Sequence, residues 1–210
     1  ALAMLLAGFR DLVAYGRRTS WSDRTGRNLG GARITLVGAG GISEELVRLL
    51  GPFAPRLTVV RRDASQPFPG AERVLPITAL HDAVADADAV VLTLALTPET
   101  QGIVDAEVLR AMRPDAWLVN VARGGVVVTD DLVAALRTGT IGGAALDVTD
   151  PEPLPDGHPL WSLPNCLITP HAGSTLAMNA PLVAERTRAN VARLAAGEPL
   201  LGLVDPGTGY

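Results

Sequence analysis

Three residues have types and settings that could carry reaction chemistry: Arg123 in Val121-Ala122-Arg123-Gly124, Glu152 in Asp150-Pro151-Glu152-Pro153, and His171 in Thr169-Pro170-His171-Ala172-Gly173. Singly each is bland. An Arg after an apolar run is usually a solvated charge and a Glu among prolines usually a turn residue, while His158 shows that a histidine here need not react. As a set they meet the needs of reducing a carbonyl that lies beside a carboxylate. Such a reaction requires a cation for the carboxylate and the carbonyl oxygen, a proton donor next to that oxygen, and a carboxylate that orients the donor and raises its pKa.

A reduction also needs a reductant, and the stretch Arg33-Ile34-Thr35-Leu36-Val37-Gly38-Ala39-Gly40-Gly41-Ile42-Ser43 is suited to holding one. A short apolar strand runs into a glycine-rich turn and then a helix, the pattern of a dinucleotide-binding turn. Gly38 permits a sharp exit from the strand. Gly40 removes a side chain where a pyrophosphate would meet backbone N–H groups at the helix N-terminus, with Gly41 and Ile42 following. The third position of the pattern is Ser43 rather than glycine; serine is small enough for close helix packing and can cap the helix. The place normally held by an acidic, ribose-binding residue, about 20 residues beyond the turn, holds Arg61 followed by Arg62. Guanidinium groups bind a 2′-phosphate with paired hydrogen bonds and stack on adenine, so these arginines predict NADP(H) over NAD(H). The competing reading leaves both arginines solvated and gives the ribose to Asp63.

The elements that must position these groups follow from hydrophobic spacing. Leu2, Leu5, Leu6, Phe9, Leu12 and Val13 form one stripe and predict an amphipathic helix over 1–18 that covers either the rest of this domain or a second subunit. Helices are expected at 44–50, 79–85, 105–112, 130–136 (Thr129 as N-cap, Gly139 as stop) and 175–196. Strands are expected at 33–37, 57–60, 74–77, 89–96, 117–121, 144–148 and 167–169, with irregular proline-rich chain over 151–164. Strands alternating with helices mean an α/β fold with a doubly wound parallel sheet of the Rossmann type, whose ligands bind beyond the carboxyl ends of the strands. The Gly38 turn, Arg61-Arg62, the 97–100 segment, the 121–124 segment and Asp147 all fall at such ends.

Composition narrows the rest. With 210 residues, 48% hydrophobic content and 4% aromatic, the chain suits one Val/Leu/Ala-rich core. A net charge of −4 provides no basic field for nucleic acid or a membrane surface. The single cysteine, Cys166, excludes an internal disulfide, offers no metal-ligand spacing and is read as a small buried hydrophobe. The opening apolar residues lack the basic flank of an export signal, which leaves a cytoplasmic protein as the expectation. The chain starts at Ala1 inside the amphipathic pattern, as a fragment would.

The sequence resembles the D-isomer-specific 2-hydroxyacid dehydrogenases over nearly its whole length. The resemblance is carried by Val37-Gly38-Ala39-Gly40-Gly41-Ile42, Leu96-Thr97-Pro98-Glu99-Thr100, Met112-Arg113-Pro114, Val119-Asn120-Val121-Ala122-Arg123-Gly124, Ala145-Leu146-Asp147-Val148, Pro151-Glu152-Pro153-Leu154, His158-Pro159-Leu160-Trp161 and Thr169-Pro170-His171. It implies that Arg123 binds the substrate carboxylate and carbonyl, that His171 is the acid/base paired with Glu152, and that Asp147 holds the nicotinamide carboxamide. Thr100, Gly173 and the backbone at Leu94, Val121 and Ala122 would line the cofactor crevice. It further implies a homodimer, a small 2-keto or 2-hydroxy acid substrate such as hydroxypyruvate or glyoxylate, and a division into a helix and connection (1–31), a dinucleotide-binding domain (32–174) and a segment (175–210) that returns to a substrate domain, part of which would precede this chain. Ser43 and Arg61 depart from the NAD-type pattern toward the NADP-preferring hydroxypyruvate/glyoxylate reductase branch. Exposed apolar surface is expected on the final segment. A different class, a dinucleotide-sensing binding protein without turnover, shares this fold and would leave Arg123, Glu152 and His171 with minor roles.

Overall fold

The structure, a computed structural model, describes residues 1–204. These form two compact units, the first ending at His171 and the second beginning at Ala172. In the first, seven parallel strands make one sheet in the order β3-β2-β1-β4-β5-β6-β7. They are β1 (Arg33–Val37), β2 (Arg56–Arg61), β3 (Arg73–Pro76), β4 (Ala89–Leu92), β5 (Trp117–Asn120), β6 (Gly143–Leu146) and β7 (Cys166–Ile168). The order reverses between β1 and β4, which is where a doubly wound sheet opens a crevice.

Alternation along the strands sends side chains to two cores. On one face Val37, Val60, Val90, Leu92, Leu118, Ala144 and Leu146 pack with residues of α4 (Leu80–Ala85), α5 (Ala106–Ala111) and α6 (Thr129–Thr138). On the other, Ile34, Leu36, Val59, Val91, Val119 and Ala145 pack with α1 (Leu2–Phe9) and α3 (Gly41–Leu50). Both faces are covered, so the central strands are buried along their whole length, as parallel sheets require.

Several sequence expectations need correction. The single helix over 1–18 is two, α1 and α2 (Leu12–Gly16), because Asp11 takes a left-handed backbone (φ 52°) that no α-helix tolerates. The stripe of α1 is used within the chain: Leu5 and Phe9 are buried, and Gly8 lies so close to the Trp117 ring that a Cβ would stand 2.5 Å from it. The strand expected over 89–96 stops at Leu92 because both flanking ladders, β1 and β5, end at that row. Thr129 does not cap α6; it is the first helical residue, and its hydroxyl donates to the Asp150 carbonyl at 2.7 Å. The proline-rich stretch contains a one-turn helix, α7 (Pro159–Ser162), capped by His158, whose Nδ1 accepts from Leu160 N at 3.3 Å.

The second unit contains α8 (Leu176–Ala195), which begins at Thr175, whose hydroxyl accepts from Met178 N. After α8 the chain folds back on it: Leu201 N donates to Asn190 Oδ1 at 2.8 Å, and Arg193 pairs with Glu198 at 3.2 Å. Leu176, Leu182 and Leu194 are exposed. The final part of the 175–210 segment, residues 205–210, lies outside the described residues.

Candidate active site

Strand register aligns the candidate residues. Val60, Val37, Leu92, Asn120, Leu146 and Ile168 form one row across six strands. The next residue of each, namely Arg61, Gly38, Thr93, Val121, Asp147 and Thr169, therefore edges the carboxyl end of the sheet. A doubly wound sheet binds its ligands along this edge.

At the switch point Gly38 has φ 118°, and a Cβ there would lie 2.6 Å from Thr93 Oγ1 and 2.7 Å from Leu94 N. Only glycine fits that approach. Gly38 N donates to Val60 O at 2.8 Å, tying the turn to β2. Helix α3 follows with Gly40 at the N-cap, and its first internal bond runs from Glu44 N to Gly40 O at 3.1 Å, so the preceding N–H groups have no intrahelical acceptor. A Cβ on Gly40 or Gly41 would meet nothing within 4 Å, and Ile42 is exposed. The space before the helix is open and edged by unbonded donors, which suits an anionic pyrophosphate. Ser43 does not cap α3. It is the third residue of the helix, in its first turn, fully buried, and its hydroxyl donates back to Gly38 O at 2.8 Å.

Arg61 ends β2, and Arg62 follows it on the exposed rim. Asp63, the alternative ribose ligand, turns its carboxylate to Ser65, accepting from its N–H at 2.9 Å, and the Ser65 hydroxyl and N–H together hold its pKa below the usual carboxylate range. On the other side of the crevice the 93–100 loop is tied by Thr100, whose hydroxyl donates to Ala95 O and accepts from Thr97 N, both at 2.7 Å. Thr100 thus shapes the crevice wall, where Leu94 is half-buried against the core.

The three reactive candidates come from the ends of β5, β6 and β7, adjacent in the sheet. Arg123 is exposed, with one guanidinium N–H on Ala122 O at 2.7 Å. Beneath it the buried Asn120 braces the turn, accepting from Ala122 N and donating to Arg123 O, each at 3.0 Å. Gly124 lets the 149–152 loop dock directly on this turn, since a Cβ there would fall 1.9 Å from Thr149 O. That loop delivers Glu152, whose carboxylate lies 2.7 Å from His171 Nδ1. His171 adopts φ 51°, a conformation costing about 1–3 kcal/mol outside glycine, and is held there by bonds from its N–H to Asp147 O (2.8 Å) and Thr169 O (2.9 Å). Asp147 is buried and takes the Thr169 hydroxyl on its carboxylate. Gly173 falls in the second unit.

Sequence reading missed the supporting residues Asn120, Thr93 and Thr169. Their one signal was a polar residue inside an apolar run (Thr93, Asn120) or at its end (Thr169), which also describes ordinary strand residues.

The site is that of a dinucleotide-binding α/β domain with an Arg, Glu and His grouped at neighbouring strand ends. The model of the D-isomer specific 2-hydroxyacid dehydrogenase, NAD binding domain, matches residues 2–173, and this chain belongs to that family. The glyoxylate reductase/hydroxypyruvate reductase of Homo sapiens is 35% identical over 211 residues, covering 97% of this chain and 62% of the human protein. Among solved structures, a probable 2-hydroxyacid dehydrogenase from Rhizobium etli in complex with NADP superposes with a TM-score of 0.89 at 29% identity, covering all of this chain and 67% of that one. The NADPH complex of a D-isomer specific 2-hydroxyacid dehydrogenase from Xanthobacter autotrophicus gives 0.86 at 36% identity, covering all of this chain and 86% of that one. The chain thus spans less than two thirds of the human relative's length. No described helix is long and apolar enough to cross a membrane.

Proposed function

We propose that this chain is the cofactor-binding part of an NADP(H)-dependent reductase of small 2-keto acids, glyoxylate or hydroxypyruvate among them. The observation that carries the chemistry is the 2.7 Å contact between Glu152 and His171 Nδ1 at the strand end next to Arg123. An ionised carboxylate only accepts hydrogen bonds, so the pair assigns the Nδ1 proton and leaves Nε2 as the nitrogen that exchanges a proton with substrate.

When bound, the nicotinamide supplies the hydride. Arg123 binds the substrate carboxylate and polarises the carbonyl; removing a donor to a developing oxyanion costs on the order of 100-fold or more in rate. His171 delivers the proton to the carbonyl oxygen, and Glu152 holds the ring in orientation. Asp147 accepts the carboxamide N–H, and the backbone of Val121 and Ala122 lines the nicotinamide end. Gly38, Gly40, Gly41 and Ile42 hold the pyrophosphate, while Arg61 and Arg62 take the 2′-phosphate. The 175–210 segment is assigned to the substrate domain.

Preference for NADP(H) rests on arginine at the β2 end and on Asp63 being engaged by its own turn, with support from relatives whose structures hold NADP or NADPH. Michaelis constants of the full-length protein for NADPH and NADH, in the wild type and in Arg61→Ala, test it. The expected result is NADPH preference that falls at least tenfold in the variant; a clear NADH preference in the wild type refutes it. Sedimentation at several concentrations tests the homodimer implied by the family, and a monomer throughout refutes that.

A further inference from the structure

The residue at the third position of the glycine pattern is neither a spacer nor a cap. Ser43 is fully buried behind the turn, and its Oγ makes two short contacts: Gly38 O at 2.8 Å and Thr93 Oγ1 at 2.7 Å. Thr93 is the residue that follows β4, directly across the switch point from Gly38. Its hydroxyl also lies 3.1 Å from Val37 O, an oxygen already served by Thr93 N at 2.9 Å. Each hydroxyl has one proton. The Ser43 proton goes to Gly38 O, the carbonyl neighbour within reach; Thr93 then donates along its shorter contact, to Ser43 Oγ.

We infer that Ser43 and Thr93 form a hydroxyl lock, Thr93 to Ser43 to the Gly38 carbonyl, that positions the glycine turn for the dinucleotide's pyrophosphate. This rests on the reading of the turn as a cofactor site. The lock joins three elements that must agree in place for the donors of α3 to converge on one anion: the end of β1, the first turn of α3 and the end of β4. Gly38 takes a backbone conformation closed to most residues and abuts Thr93 at a distance that admits no side chain. A glycine at position 43 would allow the same packing but leave the Gly38 carbonyl without the serine proton. The serine therefore makes the turn's shape depend on Thr93, a residue outside the glycine pattern. Ser43 and Thr93 are positioning residues, because both act through the turn.

The test uses this chain itself and needs no turnover. NADPH and adenosine 2′-phosphate are titrated into the wild type, Ser43→Ala, Thr93→Val, Thr93→Ser and the double variant, by cofactor fluorescence and by calorimetry respectively. Adenosine 2′-phosphate has no pyrophosphate and reports the Arg61–Arg62 end alone. The expected result is NADPH binding weakened about fivefold, the worth of one hydrogen bond, in Ser43→Ala and Thr93→Val alike. Adenosine 2′-phosphate is unchanged, Thr93→Ser binds as wild type, and the double variant is no weaker than the worse single. Wild-type NADPH affinity in both single variants overturns the lock. So does equal weakening of both ligands, which would mean general loss of structure, or losses that multiply in the double variant. If Ser43→Ala does not fold, the two Thr93 variants decide alone. Failure of adenosine 2′-phosphate to bind the wild type refutes the 2′-phosphate reading of the arginines, and the NADPH series still decides the lock.

Discussion

The substitution Gly124→Ala adds a single methyl group at the most confined glycine of the site. Its Cβ would stand 1.9 Å from the Thr149 carbonyl oxygen, 2.0 Å from its carbon and 2.5 Å from Asp150 N. Ordinary contact begins at 3.4 Å, so the opposing peptide must retreat by about 1.5 Å. That peptide is not free to yield, because Thr129 Oγ1 holds Asp150 O at 2.7 Å and Thr149 Oγ1 holds Pro151 O at 2.9 Å. Overpacking a well-packed site costs about 1–3 kcal/mol, and with backbone on the opposing side the upper end is expected. For a domain of this size ~3 kcal/mol lowers Tm by roughly 6–12 °C. The chemistry suffers separately. Glu152 travels with the loop, and displacement on this scale breaks its 2.7 Å contact with His171; misplacing a catalytic group by about 1 Å can cost on the order of 100-fold. Urea unfolding of this chain measures the first effect, and kcat/KM of the full-length protein with glyoxylate and NADPH the second. Gly40→Ala is the control, since its Cβ meets nothing within 4 Å. Its stability should stay within about 0.5 kcal/mol of wild type, while the methyl intrudes on the pyrophosphate space and weakens NADPH binding. A Gly124→Ala protein with unchanged unfolding midpoint and unchanged kcat/KM would refute the docking of the 149–152 loop on the Arg123 turn.

Glu152→Gln keeps an acceptor beside His171 but removes the charge, and is expected to lower kcat about 100-fold with NADPH affinity unchanged; equal kcat would remove Glu152 from the mechanism. At the opposite end of the sheet Asp88 accepts from Arg33 N at 2.8 Å and pairs with the Arg33 guanidinium at 2.9 Å, with Arg27 at 3.5 Å and Arg113 at 3.6 Å. Burial pushes its pKa up, but the Arg33 hydrogen bonds outweigh burial and hold the carboxyl's pKa below its usual range. A carboxylate depressed in the folded state stabilises above its unfolded pKa, so this contribution is whole at neutral pH and drains away as pH falls below about 4. Asp88→Asn should lose about 2 kcal/mol at pH 7 and flatten the acid limb of a urea-midpoint profile; a profile parallel to wild type contradicts the assignment. Burial pushes the Cys166 thiol up to about 12, so a thiol reagent at pH 8 should leave the folded chain unmodified and label it promptly in urea, and rapid native labelling would show that the thiol is accessible.

Much of this protein is legible from local chemistry. The 2.0 and 3.6 periodicities locate the strands and the larger helices, and glycine and proline mark their ends. The glycine turn, the β2 arginines and the Arg123, Glu152 and His171 set each sit where a short motif names them. What sequence spacing could not supply was any relation set by register. Asp11 breaks the first helix inside an unbroken apolar stripe, and β4 ends at Leu92 although its apolar run continues, because its neighbours on both sides end there. Thr129 reads as a cap and Ser43 as a cap or spacer, since each hydroxyl has a local partner on paper. Folding gives each a better one: Asp150 O, 21 residues away, and the pair of Gly38 O and Thr93, the latter 50 residues away. Hydrophobic patterning is local and repeats along the chain, so the sequence alone determined the elements and the reactive residue types. Asn120 braces the Arg123 turn locally, but the bonds that aim His171 and fix the glycine turn join positions distant in the chain, and only the packed sheet decided them.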